Sequence, residues 1–444
     1  MIGRARNLLS RLSSSLWSGL EFGSAAVASF VFTPLLFRQL GQEQFGAYAL
    51  LVALATFGYV VGLGVPTATS RFVAEQAAVA DDRAGLRRAV SECGGLAIWS
   101  VIVGVVVVLA AGAVIHAFGA ALAGIADQLP WPVLAAAALY AAMQFDAYAS
   151  ACMKGLEQFR PLALTEAAGR VSMYAALLAV AIAVPSPGWL IAAQALAYLV
   201  FGIVKCVIFK RGAGLTSMAP AMAPAGILRI FAFARWPWVQ SIGGALFNSG
   251  DRLAIGSVLG PSAVAVYAIA LQLGQLVQNL TIAVFQPLLP KISRLFAERA
   301  FPEIIRLGGR TNRLNLLTAS IAALASAALT IPFLQLWMGR EFAAANGTVV
   351  LLIVLSFCAM STSAASYFIL VGAGKVRTVA MISLGAGVAM LASLGPMLWL
   401  LNIHGAAASR GIYAAVALLQ LVALVRLFRE LKAPAPDAPT AAAG

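Results

Sequence analysis

Charged side chains interrupt several long apolar stretches of this 444-residue sequence. Their types favour the binding of protons, cations or anionic groups. A charge at the centre of a bilayer costs roughly 2.5–3.5 kcal/mol on insertion scales, so a charge kept there indicates a functional site. A carboxylate in such a place is a candidate for proton or cation coupling, and an arginine grips anionic oxygens bidentately. The acidic candidates are Glu21, Asp146, Glu166 and Asp251, and the basic candidates are Arg170, Arg252 and Arg410.

Polar side chains also recur at helical spacing on two of the apolar stretches. One stretch carries Gln240, Gly244, Asn248 and Asp251, and the next carries Gln272, Gln275, Asn279 and Gln286. Such stripes avoid lipid, so they line either a water-filled cavity or a helix contact held by amide hydrogen bonds. Because both stretches carry a stripe, we favour the cavity.

The elements that must position these residues are membrane-spanning helices. Hydrophobic residues make up 61% of the chain and charged residues only 10%, whereas a soluble domain carries about 25% charged residues. About 20 apolar residues cross the hydrocarbon core of a bilayer. The hydropathy predicts twelve spans, over residues 17–37, 45–65, 93–115, 131–152, 163–184, 189–209, 236–258, 264–289, 312–335, 347–371, 378–400 and 406–428.

Basic residues concentrate in alternate loops between these spans. The loops near residues 118–130, 185–188 and 402–405 contain no lysine or arginine. Since lysine and arginine collect on the cytoplasmic side of a membrane, the alternation predicts that both termini are cytoplasmic. Lys205 is counted with the basic residues of the cytoplasmic segment between the sixth and seventh spans. The net charge of +14 then reflects membrane topology, and we expect no nucleic-acid partner.

Short motifs recur in the same order in the two halves of the chain. Leu40-Gly41 matches Leu259-Gly260, Ser70-Arg71 matches Ser293-Arg294, and Gly155 matches Gly372. Six spans is an even number, so the halves are parallel repeats related by a pseudo-two-fold axis along the membrane normal. We therefore predict an all-α integral membrane protein of about twelve transmembrane helices in two six-helix lobes.

The repeat also sets the predicted domain boundaries. Residues 1–209 form the N-terminal lobe and residues 236–432 the C-terminal lobe. Residues 210–235 are predicted to be a cytoplasmic linker, in which mixed apolar and basic residues indicate an interfacial helix. The tail, residues 433–444, is rich in alanine and proline and is predicted to be disordered.

Five motifs together resemble those of a known family. They are LGQEQFGAYAL after the first span, the Gly62-Leu63-Gly64 bend, Ser70-Arg71-Phe72, Asp251-Arg252 and Gly339-Arg340-Glu341-Phe342. Over nearly its whole length the chain resembles the polysaccharide-flippase (Wzx-type) branch of the multidrug/oligosaccharidyl-lipid/polysaccharide (MOP) exporter superfamily. The resemblance implies movement of undecaprenyl-diphosphate-linked oligosaccharides across the bacterial inner membrane by alternating access, for O-antigen, capsule or exopolysaccharide synthesis. It implies lipid-linked oligosaccharide and membrane lipid as partners, with a polysaccharide polymerase and glycosyltransferases acting beside the flippase.

The resemblance also gives the basic candidates a substrate. Arg170, Arg252 and Arg410 are expected to bind the diphosphate and sugar head group, while the isoprenoid tail stays in lipid. The polar residues expected beside them are Asn248, Gln272 and Gln275.

Two pairs of charged residues have a structural and a functional interpretation. Glu166 and Arg170 are four residues apart on one helix face. They form either a permanent ion pair or a pair in which Glu166 holds Arg170 until substrate arrives. Arg71 and Arg294, related by the repeat, either recruit substrate at the cytoplasmic mouth or are ordinary positive-inside anchors.

Two other functions remain open. A cation-coupled multidrug exporter of the same fold needs an apolar site with one or two acidic residues, and a polysaccharide polymerase needs a large external loop. The buried arginines favour the glycolipid over the drug. The GAGK run at 372–375 lacks the first glycine and the final Ser/Thr of a nucleotide loop, and the four cysteines form no metal-binding pattern. We therefore expect no cofactor, no metal and no enzyme activity. The energy source is then an ion gradient, the membrane potential or downstream consumption of the product.

Overall fold

The computed structural model describes residues 2–78, 83–118 and 130–432. The predicted tail lies outside these ranges, and the side chains of Glu21 and Gln240 also lie outside the described part. All regular structure in the described residues is helical. The chain divides into two compact units, Met1–Ala268 and Ile269–Gly444.

In its described residues the first unit has eight helices and the start of a ninth. They are α1 (Ile2–Phe57), α2 (Val65–Ala77), α3 (Arg83–Phe118), α4 (Pro130–Gly155), α5 (Phe159–Ala183), α6 (Pro187–Ala213), α7 (Pro224–Ala245), α8 (Asp251–Leu259) and α9 (Pro261–Phe285). A 3₁₀ turn, Gly58–Val61, follows α1, and a π-helical segment, Leu246–Gly250, joins α7 to α8. Helix α7 therefore begins inside the predicted linker and continues into the seventh predicted span.

Up to residue 432, the second unit continues with seven more helices. They are α10 (Leu288–Ala297), α11 (Phe301–Trp337), α12 (Arg340–Ser361), α13 (Ala364–Gly372), α14 (Val376–Leu401), α15 (His404–Ala417) and α16 (Leu419–Lys432). Asn315 on α11 donates hydrogen bonds to the carbonyls of Ser361 and Thr362, at 3.1 and 2.6 Å. These carbonyls lie where α12 ends and α13 has not begun, so the amide satisfies backbone groups that the break exposes.

Nine segments in the described ranges are long and apolar enough to cross a membrane. They are Ala26–Val61, Arg83–Ile115, Phe159–Ala183, Pro187–Ala213, Pro261–Ala297, Phe301–Trp337, Arg340–Gly372, Val376–Leu401 and His404–Lys432. The first of them joins the first two predicted spans. Two further predicted spans correspond to α4 and to the run from α7 to α8, and both are helical.

A glycine bend divides α1 at the first of the repeated motifs. An unbroken helix of 56 residues would be about 84 Å long at 1.5 Å per residue, far more than one bilayer needs. Gly41 interrupts it with φ 76° and ψ 170°. Gly260, its match in the repeat, has φ 81° and ψ 178°. Because L-residues rarely adopt this conformation, both positions require glycine.

A second pair of repeat glycines allows close helix packing. A Cβ on Gly155 would lie 2.7 Å from the Cβ of Val73 on α2, and one on Gly372 would lie 2.9 Å from the Cβ of Ile292 on α10. Each glycine thus lets the helix that it ends, α4 or α13, pack closely against a helix of the same unit, α2 or α10. The glycine conformations and the close glycine contacts therefore repeat along the chain as the sequence motifs do.

Helix α4 is the most buried element of the first unit. Six of its buried side chains are alanines: Ala135, Ala136, Ala137, Ala142, Ala149 and Ala151. Small residues let neighbouring helices approach closely. Tyr140 and Gln144 add hydrogen bonds to Ser100 on α3, at 3.0 Å to its carbonyl and 2.9 Å to its hydroxyl. Helices α5 and α6 pack beside α4, and the candidate site lies among these three.

Candidate functional site

Four charged side chains meet among α4, α5 and α6. Asp146 comes from α4, Glu166 and Arg170 from α5, and Lys205 from α6. The Lys205 ammonium lies 2.6 Å from Asp146 Oδ1 and 2.6 Å from Glu166 Oε1. Two carboxylates and two basic groups make the cluster electrically balanced.

Lys205 is the buried centre of this cluster. The residue is only 1% exposed, and besides the two carboxylates its ammonium donates to the Ser150 hydroxyl at 3.1 Å. An ammonium has three donors, and each has a partner here. A buried charge is tolerated when it is paired and hydrogen-bonded in this way.

Arg170 is held more loosely than Lys205. Its Nε lies 3.6 Å from Glu166 Oε2, and 30% of its side chain is exposed. One guanidinium nitrogen donates to the Tyr198 hydroxyl at 2.6 Å, and the group lies 5.4 Å from the centre of the Tyr198 ring. The predicted Glu166–Arg170 pair on one helix face is therefore present, but it is the longer of the two ion pairs that Glu166 makes.

A glycine on α6 brings Lys205 to Asp146. A Cβ on Gly202 would lie 2.8 Å from Phe145 Cδ1 and 3.3 Å from the Asp146 Cα. Any larger residue would hold α6 away from α4. Lys205 follows Gly202 by nearly one helical turn, so both residues lie on the face of α6 that packs on α4.

A cavity of about 270 Å³ opens beside the cluster. Its wall includes Asp146, Lys154, Glu166, Arg170 and Tyr198, together with Tyr59 of the 3₁₀ turn and Pro66 of α2. Lys205 is not part of this wall but binds two of the carboxylates that are. Small-molecule sites are about 300–1,000 Å³, so this cavity has room for a head group and not for a whole oligosaccharide.

The importance of Lys205 was missed from the sequence. Counting basic residues places it in a cytoplasmic loop, whereas it lies within α6 and is buried. The sequence does contain a sign of its burial, because Lys205 falls inside the sixth predicted span. A lysine there needs acidic partners, and Asp146 and Glu166 were already singled out on neighbouring spans.

Asp251 and Arg252 lie elsewhere in the first unit. Asp251 is 1% exposed and accepts hydrogen bonds from the Tyr267 hydroxyl and from the Arg252 backbone nitrogen. Asn248 donates to the Gly244 carbonyl at 2.9 Å. Arg252 is half-buried and is not among the residues that line the cavity beside Arg170.

The remaining candidates lie on other surfaces and in the second unit. Arg410 on α15 is buried, with its guanidinium 4.7 Å from the centre of the Phe357 ring. Gln272 and Gln275 are half-buried on α9. Arg71 and Arg294 are exposed and each lies near the glutamate four residues later, at 2.6 and 3.7 Å.

In the described part of the chain, no group of three or more His, Cys, Asp or Glu side chains is arranged to hold a metal ion. The four cysteines are free thiols, and three of them are buried. The charged cluster of α4, α5 and α6 is therefore the strongest candidate site in the described residues.

Comparison with known proteins gives a family and a fold. Residues 12–296 match the model of a family described as polysaccharide biosynthesis protein. The search of curated proteins gives no match. Among solved structures, an inward-facing multidrug resistance MATE family transporter of the MOP superfamily aligns with a TM-score of 0.69 at 11% identity, over 93% of this chain and 98% of that chain.

Two further MATE transporters align over similar lengths. A eukaryotic one has a TM-score of 0.57 at 12% identity, covering 94% of this chain and 98% of its own. One from Vibrio cholerae has a TM-score of 0.54 at 15% identity, covering 95% and 98%. At such identities the likeness establishes the fold. MATE transporters have 12 helices in two lobes, so the predicted all-α membrane architecture is confirmed.

Proposed function

We propose that this protein flips undecaprenyl-diphosphate-linked oligosaccharides across the bacterial inner membrane. The chain belongs to the family of polysaccharide biosynthesis proteins and has the fold of a MOP-superfamily transporter. Family and fold indicate a transporter rather than an enzyme. The glycolipid is the substrate that best fits the charged cavity in the first unit.

One observation carries this proposal: both carboxylates of the cavity already bind Lys205, while Arg170 faces the cavity. The Arg170 side chain is 30% exposed, against 12% for Glu166 and 9% for Asp146. A diphosphate has at least two negative charges and many acceptor oxygens, which a guanidinium binds bidentately. Lys154 supplies a second basic side chain to the same wall.

The same geometry argues against export of a cationic drug through this cavity. A cation would need a carboxylate that is available to it. Here an ammonium lies 2.6 Å from each of the two carboxylates, so a drug or coupling cation would first have to displace Lys205. We therefore prefer the glycolipid flippase to the multidrug exporter.

The other candidates keep the roles proposed from the sequence. Arg252 and Arg410 contact the head group at other stages of transport, and Arg71 and Arg294 recruit it from the membrane surface. We place both termini in the cytoplasm, with a polysaccharide polymerase and glycosyltransferases acting on the same glycan. For ion coupling the proposal keeps Glu21 and Asp251, because Lys205 already binds Asp146 and Glu166.

The test is flipping by the purified full-length protein in liposomes. Undecaprenyl-diphosphate-linked oligosaccharide is placed in both leaflets, and its appearance outside is followed with a lectin that cannot cross the membrane. We expect the Arg170→Ala variant to lose most of this transport, because the head group loses its guanidinium. Arg313→Ala is the matched control, because Arg313 is an exposed arginine on α11 of the second unit.

Two outcomes would contradict the proposal. One is equal transport by Arg170→Ala and by the unmodified protein, with both folded and inserted. The other is failure to move the lipid-linked glycan while a cationic dye such as ethidium is exported against its gradient, which would favour the drug exporter.

A further inference from the structure

Lys205 is buried behind the cavity, and the proposed transport step does not use it directly. Its ammonium touches Asp146, Glu166 and Ser150, and only 2% of its side chain is exposed. It does not line the cavity, and the neighbouring pocket that it does line, of about 20 Å³, is too small for a head group. Two of its three partners, however, carry the negative charge that competes with a substrate for Arg170.

Glu166 is shared between the two basic residues, and unequally. Its Oε1 lies 2.6 Å from the Lys205 ammonium, whereas its Oε2 lies 3.6 Å from Arg170 Nε. Oppositely charged groups attract more strongly at shorter distance and in drier surroundings. Lys205 is thus the stronger partner, and Arg170 is left with a long ion pair and a hydrogen bond to Tyr198.

We infer that Lys205 is a positioning residue, which holds Asp146 and Glu166 and so keeps Arg170 available to the substrate diphosphate. The inference rests on the proposed function, because it assigns Lys205 a role at the same cavity. With Lys205 the cluster is neutral. Without it, two carboxylates remain beside Arg170, and the guanidinium is drawn more strongly to Glu166, which it already pairs with at 3.6 Å.

The consequence is measurable as head-group affinity. The probe is undecaprenyl diphosphate, and the measurement is its dissociation constant for the purified full-length protein in detergent. Lys205→Met is expected to weaken binding about tenfold or more, as expected for losing one hydrogen bond to a charged group. Lys210→Met, which removes an exposed lysine from the end of the same helix, is expected to leave the affinity unchanged.

A triple variant separates this role from a merely structural one. In Asp146→Asn/Glu166→Gln/Lys205→Met the two competing carboxylates are neutral, so Arg170 is again available. We expect affinity close to that of the unmodified protein. If Lys205 only maintains packing, three changes are at least as harmful as one, and recovery does not occur.

Glu166→Gln tests the same inference independently, should Lys205→Met not fold. In Glu166→Gln, Lys205 keeps Asp146 as its partner and Arg170 loses its carboxylate, so binding of undecaprenyl diphosphate should tighten several-fold. Unchanged or weaker binding by Glu166→Gln overturns the inference, as does a triple variant no better than Lys205→Met.

The Arg170→Ala variant shows which claim has failed. If it binds the probe as well as the unmodified protein, the proposed site is wrong. If it loses the probe while Lys205→Met and Glu166→Gln bind normally, only the role of Lys205 is wrong.

Discussion

Removing the two carboxylates around Lys205 one at a time, and then together, should destabilise the first unit non-additively. In Asp146→Asn or Glu166→Gln the ammonium keeps one carboxylate at 2.6 Å. Each single change then removes one hydrogen bond between charged groups, at a cost of about 1.5–3 kcal/mol. The single variants also relieve the repulsion between the two carboxylates, which favours the lower end of that range.

The second neutralisation is more costly than the first. It leaves the ammonium of a residue that is 1% exposed with neutral partners alone, so its charge is no longer paired. Breaking a buried pair by removing one partner costs about 3–5 kcal/mol. Since each single change costs about 1.5 kcal/mol, the double variant should exceed the sum of the two single variants by about 1.5–3.5 kcal/mol.

The assay is a double-mutant cycle on the unfolding free energy of the purified full-length protein, from reversible unfolding in mixed detergent micelles. Glu430→Gln is the control, because Glu430 pairs with Lys375 at 2.9 Å on the surface, with side chains 59% and 42% exposed. Such pairs contribute about 0–1 kcal/mol. Additivity of the two carboxylate variants to within about 0.5 kcal/mol would refute the shared-lysine arrangement.

Two further predictions concern helix packing. Gly202→Ala places a Cβ 2.8 Å from Phe145 and should destabilise the protein by about 1–3 kcal/mol. Gly385→Ala, whose Cβ meets nothing within 4 Å, should leave the melting temperature almost unchanged. Equal melting temperatures of the two variants would contradict the close approach of α6 to α4. Asn315→Ala removes the amide that binds the Ser361 carbonyl and should lower the unfolding free energy by about 1–3 kcal/mol, whereas a loss below about 0.5 kcal/mol would mean that water replaces the amide.

Much of the fold was predictable because lipid imposes strong rules on sequence. Long apolar runs gave the spans, and the motifs around Gly41 and Gly260 predicted a repeat that the backbone shares. Hydropathy could not locate the ends of the helices. Helix α7 begins at Pro224 because an amphipathic segment and an apolar segment join into one helix, and hydropathy reports only the apolar part.

The candidate site was predicted in part. The spacing of Glu166 and Arg170 was enough to place them together, since it follows from helix geometry alone. Lys205 was assigned to the wrong environment, because its pairing with Asp146 depends on how α6 packs on α4. That packing is set by Gly202, whose contribution is a missing side chain and not a chemical group that stands out in the sequence.

The central claim is that Arg170 recognises the diphosphate of a lipid-linked glycan. The most direct measurement compares binding of undecaprenyl diphosphate and of undecaprenol, which shares the chain but lacks the phosphates, by native mass spectrometry of the full-length protein. We expect the unmodified protein to prefer the diphosphate strongly and the Arg170→Ala variant to lose most of that preference while binding undecaprenol equally well. An unchanged preference in Arg170→Ala would contradict the account.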